Sequence, residues 1–197
     1  MSCFSKKEYL SLKMPTEEVA VSDHRRIELA LNTLGYEHIV FPLKVIEKLY
    51  PMCRDAGFDI TVTLVHREYD WVVTDIEPGD TTAHHYGLAV DYGSTTIVAQ
   101  LVDLHSGAVI GEETAVNGQT AHGTDILTRI TYAMEDRNHR KDLQKATNDT
   151  FRLLFEKLTD STGIHAEKCP VMILSGNTTM IHFLLGLDGW TVFASPY

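Results

Sequence analysis

Two apolar, strand-like runs joined by one short turn constrain the fold of this 197-residue chain more than any other feature. The sequence YGLAVDYGSTTIVAQLVD, residues 86–103, predicts strands at about 88–91 and 97–102. Glycine in the turn lets the backbone come close to a ligand, and the Ser-Thr-Thr run at 94–96 adds three hydroxyl groups. Such a turn is suited to holding phosphate oxygens, but its spacing fits an ordinary hairpin equally well.

A carboxylate lies next to this turn, because Asp91 ends the first predicted strand. Carboxylate and phosphate groups repel each other unless a hard cation such as Mg²⁺ lies between them, usually together with water. Two interpretations therefore stay open at this point. The turn is either a nucleotide phosphate loop with its metal ion or a plain hairpin turn.

The composition argues against several kinds of partner. The formal net charge is −10 at pH 7, whereas binding to nucleic acid or to an anionic membrane requires a basic face, so neither partner is expected. No stretch reaches the roughly 18 apolar residues of a membrane span, and residues 1–15 lack the apolar run of a signal peptide. We therefore expect a cytoplasmic protein.

Neither the cysteines nor the histidines are spaced like a metal site. The three cysteines are far apart and form no CxxC pair, so they predict no iron–sulfur cluster or structural zinc in this chain. The histidines at 84, 85, 122 and 182 have no fixed spacing either. Ordinary core or surface side chains are the interpretation we favour for both residue types.

The N-terminal part of the chain predicts a small α+β domain. Residues 1–20 are polar and predict a leading segment or linker, with an extended run near 9–14, and the domain follows at 21–80. Apolar spacing and capping residues predict helices at about 24–34 and 42–57.

The second of these helices carries Leu43, Ile46 and Leu49 on one stripe. Two strands follow, at about 58–64 and 71–76, and they predict a hairpin. Apolar and polar residues alternate in the first strand, which indicates a buried face and a polar outer face.

A turn rich in Pro, Gly and Asp at 77–82 predicts a domain boundary, and a second domain spans about 84–197. The strands on either side of the Gly93 turn and a third strand predict a meander. The pattern predicts this third strand at 108–116, followed by a loop at 117–123. A helix at 126–134, a charged turn at 135–140 and a helix with apolar residues over 143–158 come next. The chain then continues with a short buried strand at 171–174, a helix at 180–187 and an extended end at 190–194.

Two helices of the second domain have candidate N-terminal caps. Asp125 or Thr124 precedes one apolar stripe, and Asn177 or Thr178 precedes another. A strand, a turn of small residues and a helix N-terminus, as around Asn177, also form a geometry that attracts anions. Capping and ligand contact both stay open for this residue.

The motif DYGSTT followed by a strand resembles the first phosphate motif of the superfamily that contains acetate and sugar kinases, heat-shock chaperones and actin. The strings YGLAVDYGSTTIVAQLVDLHSGAVI, GTDILTRI and SGNTTMIHFLLGLD resemble in particular the ATP-dependent reductive activators of corrinoid proteins. The upstream strings HRRIELAL, FPLKVIEKL, DITVTLV and IEPGD resemble the region that precedes the ATPase domain in that family. The implied fold class is α/β: a small α+β domain followed by the first half of an actin-like (ribonuclease H-like) ATPase domain.

The resemblance implies roles for the residues of the turn. Asp91 would hold the hydration shell of Mg²⁺, and the β- and γ-phosphates of ATP would contact Gly93, Ser94, Thr95 and Thr96. ATP and Mg²⁺ are therefore the expected cofactors.

Two more residues, Asp125 and Asn177, match polar positions of the family strings and are candidate cleft residues without an assigned role. Complete members of the family also have an iron–sulfur domain, a second phosphate motif and an adenosine pocket, which this chain lacks. By itself, the chain is expected to be an internal portion or a truncated product that binds ATP weakly or not at all.

The implied function of the intact protein is ATP-dependent reduction of cob(II)alamin to cob(I)alamin on a corrinoid protein. Electrons would arrive through a ferredoxin-like domain, and a homodimer is compatible with this function. One alternative is a small-molecule kinase, for which Asp125 is the only local candidate base. The other is a non-catalytic docking module that uses the hairpin at 58–76 as an interaction edge.

Overall fold

In the computed structural model, the described residues are 4–18 and 20–194, and they divide into two compact units between His85 and Tyr86. The division falls a few residues after the predicted boundary turn at 77–82. The reason is that residues after this turn are still bonded to the first unit, since the hydroxyl of Ser5 lies 2.9 Å from Nε2 of His85.

Unit 1 is the part of the chain up to His85, and its described residues form one four-stranded sheet and two helices. Its elements are β1 (Ser5–Ser11), α1 (Asp23–Thr33), β2 (Ile39–Val40), α2 (Leu43–Asp55), β3 (Asp59–Arg67) and β4 (Asp70–Pro78). The strand order is β1-β3-β4-β2, in which β3 is antiparallel to both neighbours and β2 is parallel to β4. The extended run expected near 9–14 is found earlier in the chain, at Ser5–Ser11, where it forms the edge strand β1 of this sheet.

The hydrophobic core of unit 1 contains side chains from both helices and from the sheet. The stripe expected on α2 is wrong in two of its three positions, because Leu43 and Ile46 are 71% and 44% exposed and only Leu49 is buried. The buried stripe of α2 is instead Val45, Leu49 and Cys53. Both stripes have helical spacing, so periodicity alone could not choose between them.

The polar outer face predicted for the first strand of the hairpin is also wrong. Thr61 and Thr63 of β3 are 0% and 1% exposed. The hydroxyl of Thr61 donates to the carbonyl of Gly79 at 2.6 Å and accepts from the backbone N–H of Thr81 at 2.9 Å. The segment after β4 thus folds back over this face, and Lys7 and Glu77 form a mostly buried ion pair there.

The predicted hairpin itself is confirmed, since β3 and β4 pair antiparallel. Both strands are interior, however, because β1 flanks β3 and β2 flanks β4. The hairpin therefore has no free edge along these pairings, and the expectation that it forms an interaction edge is wrong.

Unit 2 begins at Tyr86 and contains a second four-stranded sheet. Its elements are β5 (Tyr86–Tyr92), β6 (Thr96–Asp103), β7 (Val109–Val116), a 3₁₀ helix (Gly118–His122), α3 (Ile126–Glu135), α4 (Arg137–Thr162), a 3₁₀ helix (Ala166–Lys168), β8 (Met172–Gly176), α5 (Thr178–Leu185) and a 3₁₀ helix (Gly189–Val192). The predicted meander of β5, β6 and β7 is confirmed, and β8 adds to β5 in parallel, giving the order β7-β6-β5-β8.

Three local predictions in this unit are wrong. The charged turn expected at 135–140 is almost absent, because α4 begins at Arg137 and only Asp136 separates it from α3. The carboxylate of Asp136 accepts from the backbone N–H of Asn138 at 2.8 Å, and this cap is enough to start a new helix. The loop at 117–123 and the extended end at 190–194 both contain 3₁₀ helices.

The sheet of unit 2 packs its helices against one face. Successive side chains of a strand point to opposite faces, so Val90 and Tyr92 are buried in the core while Asp91 lies exposed on the other face. The strand predicted at 171–174 is found as β8, but the prediction that it is buried is wrong, because Met172 and Ile173 are 47% and 62% exposed. The two units together form a mixed α/β fold with two four-stranded sheets, as the α/β prediction requires.

The buried face of α4 gives a direct test of this core. Leu154→Ala is expected to lower the free energy of unfolding by about 2–5 kcal/mol, because the side chain is 0% exposed and its loss leaves a cavity. Urea unfolding followed by circular dichroism measures the change. The matched control is Leu153→Ala, at a residue 46% exposed, which is expected to cost less than about 1 kcal/mol. Equal losses would contradict the packing of α4.

Candidate functional site

The turn between β5 and β6 has a backbone that only glycine can adopt at its first position. A Cβ atom added to Gly93 would lie 2.4 Å from the carbonyl oxygen of Thr96, well inside van der Waals contact. No hydrogen-bond partner among residues 4–18 and 20–194 is found for the hydroxyls of Ser94, Thr95 and Thr96. The same holds for the backbone N–H groups of Ser94 and Thr95. The turn therefore presents donors that phosphate oxygens could accept.

The side chain of Asn117 braces this turn from the end of β7. Its Nδ2 donates to the carbonyl of Gly93 at 2.9 Å, and its backbone N–H donates to the carbonyl of Thr95 at 2.8 Å. Its Oδ1 accepts from the backbone N–H of Gln119 at 3.0 Å, and the residue is 0% exposed. Sequence reasoning missed Asn117, which lay in the predicted polar loop, and no local signal distinguished it from a solvated asparagine.

Asp91 lies one residue before the buried Tyr92, with its carboxylate on the exposed face of the sheet. In the ladder it is opposite Val98 of β6 and Ser175 of β8. A shallow cavity of about 350 Å³ on this face is lined by Ala89, Val90, Asp91, Val98, Gln100, Ile173 and Ser175. The carboxylate is thus exposed on this face, two residues before Gly93 in the chain. A role of Asp91 in holding hydrated Mg²⁺ stays a prediction.

Asn177 lies at the same edge of the sheet as the Gly93 turn. The parallel strands β5 and β8 are neighbours, with Tyr92 opposite Gly176, so their carboxyl ends meet. Asn177 caps α5, because its Oδ1 accepts from the backbone N–H of Met180 at 3.0 Å, which confirms the predicted cap. The structure brings Asn177 and the turn together; contact of Asn177 with a ligand stays a prediction.

Asp125 is the N-cap of α3, as predicted. Its carboxylate accepts from the backbone N–H of Thr128 at 2.9 Å, and the hydroxyl of Thr128 accepts in return from the backbone N–H of Asp125 at 3.3 Å, which forms a capping box. The hydrogen bond from Thr128 holds the pKa of Asp125 below its ordinary value of 3.8. No hydrogen bond joins Asp125 to the Gly93 turn within the described part of the chain.

A buried polar cluster lies behind the turn. The hydroxyl of Tyr92 is 2.6 Å from that of Thr147, and Nε2 of Gln119 lies 3.0 Å and 2.8 Å from these two oxygens. The same Nε2 is 3.1 Å from the carbonyl of Leu143 on α4, and burial raises the pKa of Tyr92. The cluster joins β5, the segment after β7 and α4, and sequence reasoning identified none of its members as a site residue.

Two of the three cysteines lie within the described residues, and neither is fully exposed. Cys53 is buried and Cys169 half-buried, and burial raises the pKa of each thiol to about 11. Cys3 lies outside the described residues. Within residues 4–18 and 20–194, no three His, Cys, Asp or Glu side chains are grouped so that they could hold a metal ion. No helix in that part of the chain is long and apolar enough to cross a membrane.

Family models match both parts of the chain. The model of the RACo middle region matches residues 86–197, and that of the RACo linker region matches residues 1–83. The chain therefore belongs to the RACo family and contains its linker and middle regions. This confirms the family that the three motif strings of the second domain indicated.

Two relatives give the degree of similarity. The corrinoid activation enzyme RamQ of Eubacterium limosum is 29% identical over 112 residues, which are 57% of this chain and 19% of RamQ. A solved structure of a reductive activator for corrinoid, iron-sulfur protein is 29% identical and matches all of this chain with a TM-score of 0.85, over 31% of its own length. The chain thus spans about a fifth to a third of the length of these relatives.

The cap at Asp125 predicts a pH-dependent stability. Folding lowers the pKa of the Asp125 carboxyl group. The stabilisation by the cap is therefore fully present above the pKa that Asp125 has in the unfolded chain, and it is lost as the pH falls through the lower pKa that Asp125 has in the folded protein. Asp125→Ala is therefore expected to lower the urea midpoint at pH 7, by an amount that shrinks below about pH 4.

The control for this experiment is Asp160→Ala, at an exposed residue of α4 whose side chain has no hydrogen-bond partner within the described residues. It removes the same charge and is expected to leave the midpoint nearly unchanged across the pH range. A difference between wild type and Asp125→Ala that is the same at every pH would rule out a carboxylate cap.

Proposed function

We propose that the full-length protein that contains this chain uses ATP to drive the reduction of cob(II)alamin to cob(I)alamin on a corrinoid protein. The observation that carries the proposal is the turn at Gly93, braced by the buried amide of Asn117 beside the exposed carboxylate of Asp91. This turn occurs in a chain of the RACo family, and relatives of the chain are named for corrinoid activation.

We infer that unit 2 is the first half of an actin-like, ribonuclease H-like ATPase domain. Three antiparallel strands in the order β7-β6-β5, extended by β8 in parallel with β5, support this inference. So does the position of the turn, since β5 and β6 form the first hairpin of the unit. The opposite wall of the nucleotide cleft would come from a part of the protein outside this chain.

The residues of the turn fit the phosphates of ATP. The backbone N–H groups and hydroxyls of Ser94 and Thr95 would donate to phosphate oxygens, and the close backbone at Gly93 leaves no Cβ in the way. Asp91 would accept hydrogen bonds from the water ligands of Mg²⁺, and the cation offsets the repulsion between carboxylate and phosphate. Thr96 and Asn177 complete the polar rim at this edge.

Bound ATP would supply free energy for an electron transfer that is otherwise uphill. A nucleotide can shift the fit to a partner only if it binds two states of the activator with different affinity. We therefore propose that the corrinoid protein is bound more tightly in one nucleotide state, while electrons arrive through a ferredoxin-like iron–sulfur domain outside this chain. We place this reaction in the cytoplasm, with a homodimer as the proposed assembly.

The alternatives receive less support. A kinase would use Asp125 as its base, but the hydrogen bond from Thr128 makes this carboxylate a weaker proton acceptor and fixes it as a helix cap. A docking module that used β3 and β4 as an edge would need those strands at the margin of the sheet, and they are interior.

Asp91→Asn in the full-length protein tests the proposal. The neutral side chain no longer attracts hydrated Mg²⁺, so the affinity for MgATP is expected to fall by about tenfold or more, together with the rate at which the cob(I) absorption spectrum appears. Calorimetry measures the first change, and anaerobic spectroscopy with reductant and a corrinoid protein measures the second.

Asp160→Asn removes the same charge from α4 and is expected to leave both quantities unchanged. If the wild-type protein generated cob(I) at the same rate without ATP, the proposed function would be wrong. If cob(I) formation needed ATP but Asp91→Asn had no effect on it, the function would stand and the site would be wrong.

A further inference from the structure

Arg129 of α3 is a buried cation in the interior of unit 2. The residue is 0% exposed, and it is among the largest fully buried side chains of the described residues. A guanidinium group stays protonated at all ordinary pH values, and burying it without a counter-charge is costly. The groups in contact with Arg129 therefore indicate the role of its charge.

The described contacts of Arg129 do not neutralise its charge. Nε donates to the carbonyl of Gly123 at 2.8 Å, while Nη1 lies 3.4 Å from Oε1 of Gln119 and 3.8 Å from the sulfur of Met180. Nη2 is buried without a hydrogen-bond partner among the described residues, and no carboxylate of that part of the chain forms an ion pair with the group. Burial lowers the pKa of Arg129, and the nearby charge of Asp125 opposes this only through space.

Hydrogen bonds lead from this cation to the phosphate-binding turn. Arg129 contacts the side chain of Gln119, whose backbone N–H donates to Oδ1 of Asn117 at 3.0 Å. Nδ2 of Asn117 in turn donates to the carbonyl of Gly93 at 2.9 Å. Nη1 also touches Met180, the residue whose backbone N–H is capped by Asn177.

We propose that Arg129 is a positioning residue of the nucleotide site and that its buried charge makes the site prefer polyphosphates over monophosphates. Through Gln119 and Asn117 it fixes the carbonyl of Gly93, and through Met180 it fixes the first turn of α5. Its positive charge acts through the protein interior, where screening by water is weak, and attracts the phosphate chain in proportion to the charge of that chain. This inference rests on the proposed binding of ATP.

The test compares nucleotides that share the nucleoside and differ in phosphate charge. Dissociation constants of ATP, ADP and AMP are measured without Mg²⁺, by calorimetry or competition, for the full-length wild type, Arg129→Met and Arg129→Lys. Mg²⁺ is left out because it would give MgATP about the same net charge as AMP. Arg129→Met is expected to weaken the binding of Mg²⁺-free ATP about tenfold more than that of AMP, because the lost charge–charge attraction grows with the charge of the phosphate chain. Arg129→Lys retains the charge and is expected to restore most of the preference.

Two further variants separate charge from position. Arg152→Met removes a guanidinium from the exposed face of α4 and is expected to change no constant. Gln119→Leu breaks the path to the turn but keeps Arg129, so it is expected to weaken all three nucleotides by the same factor. If Arg129→Met does not fold, Arg129→Lys and Gln119→Leu decide the question through their ratio of ATP to AMP affinity.

An equal loss for all three nucleotides in Arg129→Met would overturn the electrostatic role, as would a changed ratio in Gln119→Leu. A selective loss of polyphosphate binding in Arg129→Met, restored by lysine, is the expected result. If the wild type bound none of the nucleotides, the proposed function would fail first, and the inference on Arg129 would fall with it.

Discussion

The parallel pairing of β5 with β8 is the constraint on which the candidate site depends. It places the end of β8 and the start of α5 beside the Gly93 turn, although about eighty residues separate the two segments in the chain. Strands that run in the same direction finish at the same edge, so the small-residue turns that follow them meet there. Asn177 is a neighbour of Asp91 and the turn only because of this pairing.

Buried polar groups then define the shape of that edge. Asn117 and Gln119 are fully buried, and each uses its amide in several hydrogen bonds that an apolar residue of the same size could not make. Removing one member of such a cluster leaves its partners unsatisfied in a region that excludes water, which costs more than an exposed hydrogen bond. These hydrogen bonds therefore hold the turn in one conformation, which would lower the entropy lost on binding if the turn binds phosphate as we propose.

Features set by neighbouring residues could be predicted from the sequence, and features set by distant contacts could not. The meander around the Gly93 turn and the caps Asp125 and Asn177 follow from signals within a few residues, and all are found in the structure. The buried stripe of α2 was predicted in the wrong place, because two apolar stripes with helical spacing compete and only the sheet decides which is covered. Thr61 was assigned to the outer face because no local pattern shows that residues 79–81 fold back on it. The brace at Asn117 is also a long-range contact, formed across 24 positions of the chain.

Amide hydrogen exchange at the Gly93 turn tests most directly whether this turn binds phosphate, as we propose. The backbone N–H groups of Ser94 and Thr95 have no acceptor among the described residues, so they are expected to exchange fast in the full-length protein without nucleotide. Saturating MgATP is predicted to slow both amides by about tenfold or more while the exposed turn at Ser106 and Gly107 is unchanged. Nucleotide binding that left the exchange of Ser94 and Thr95 unaltered would contradict the account.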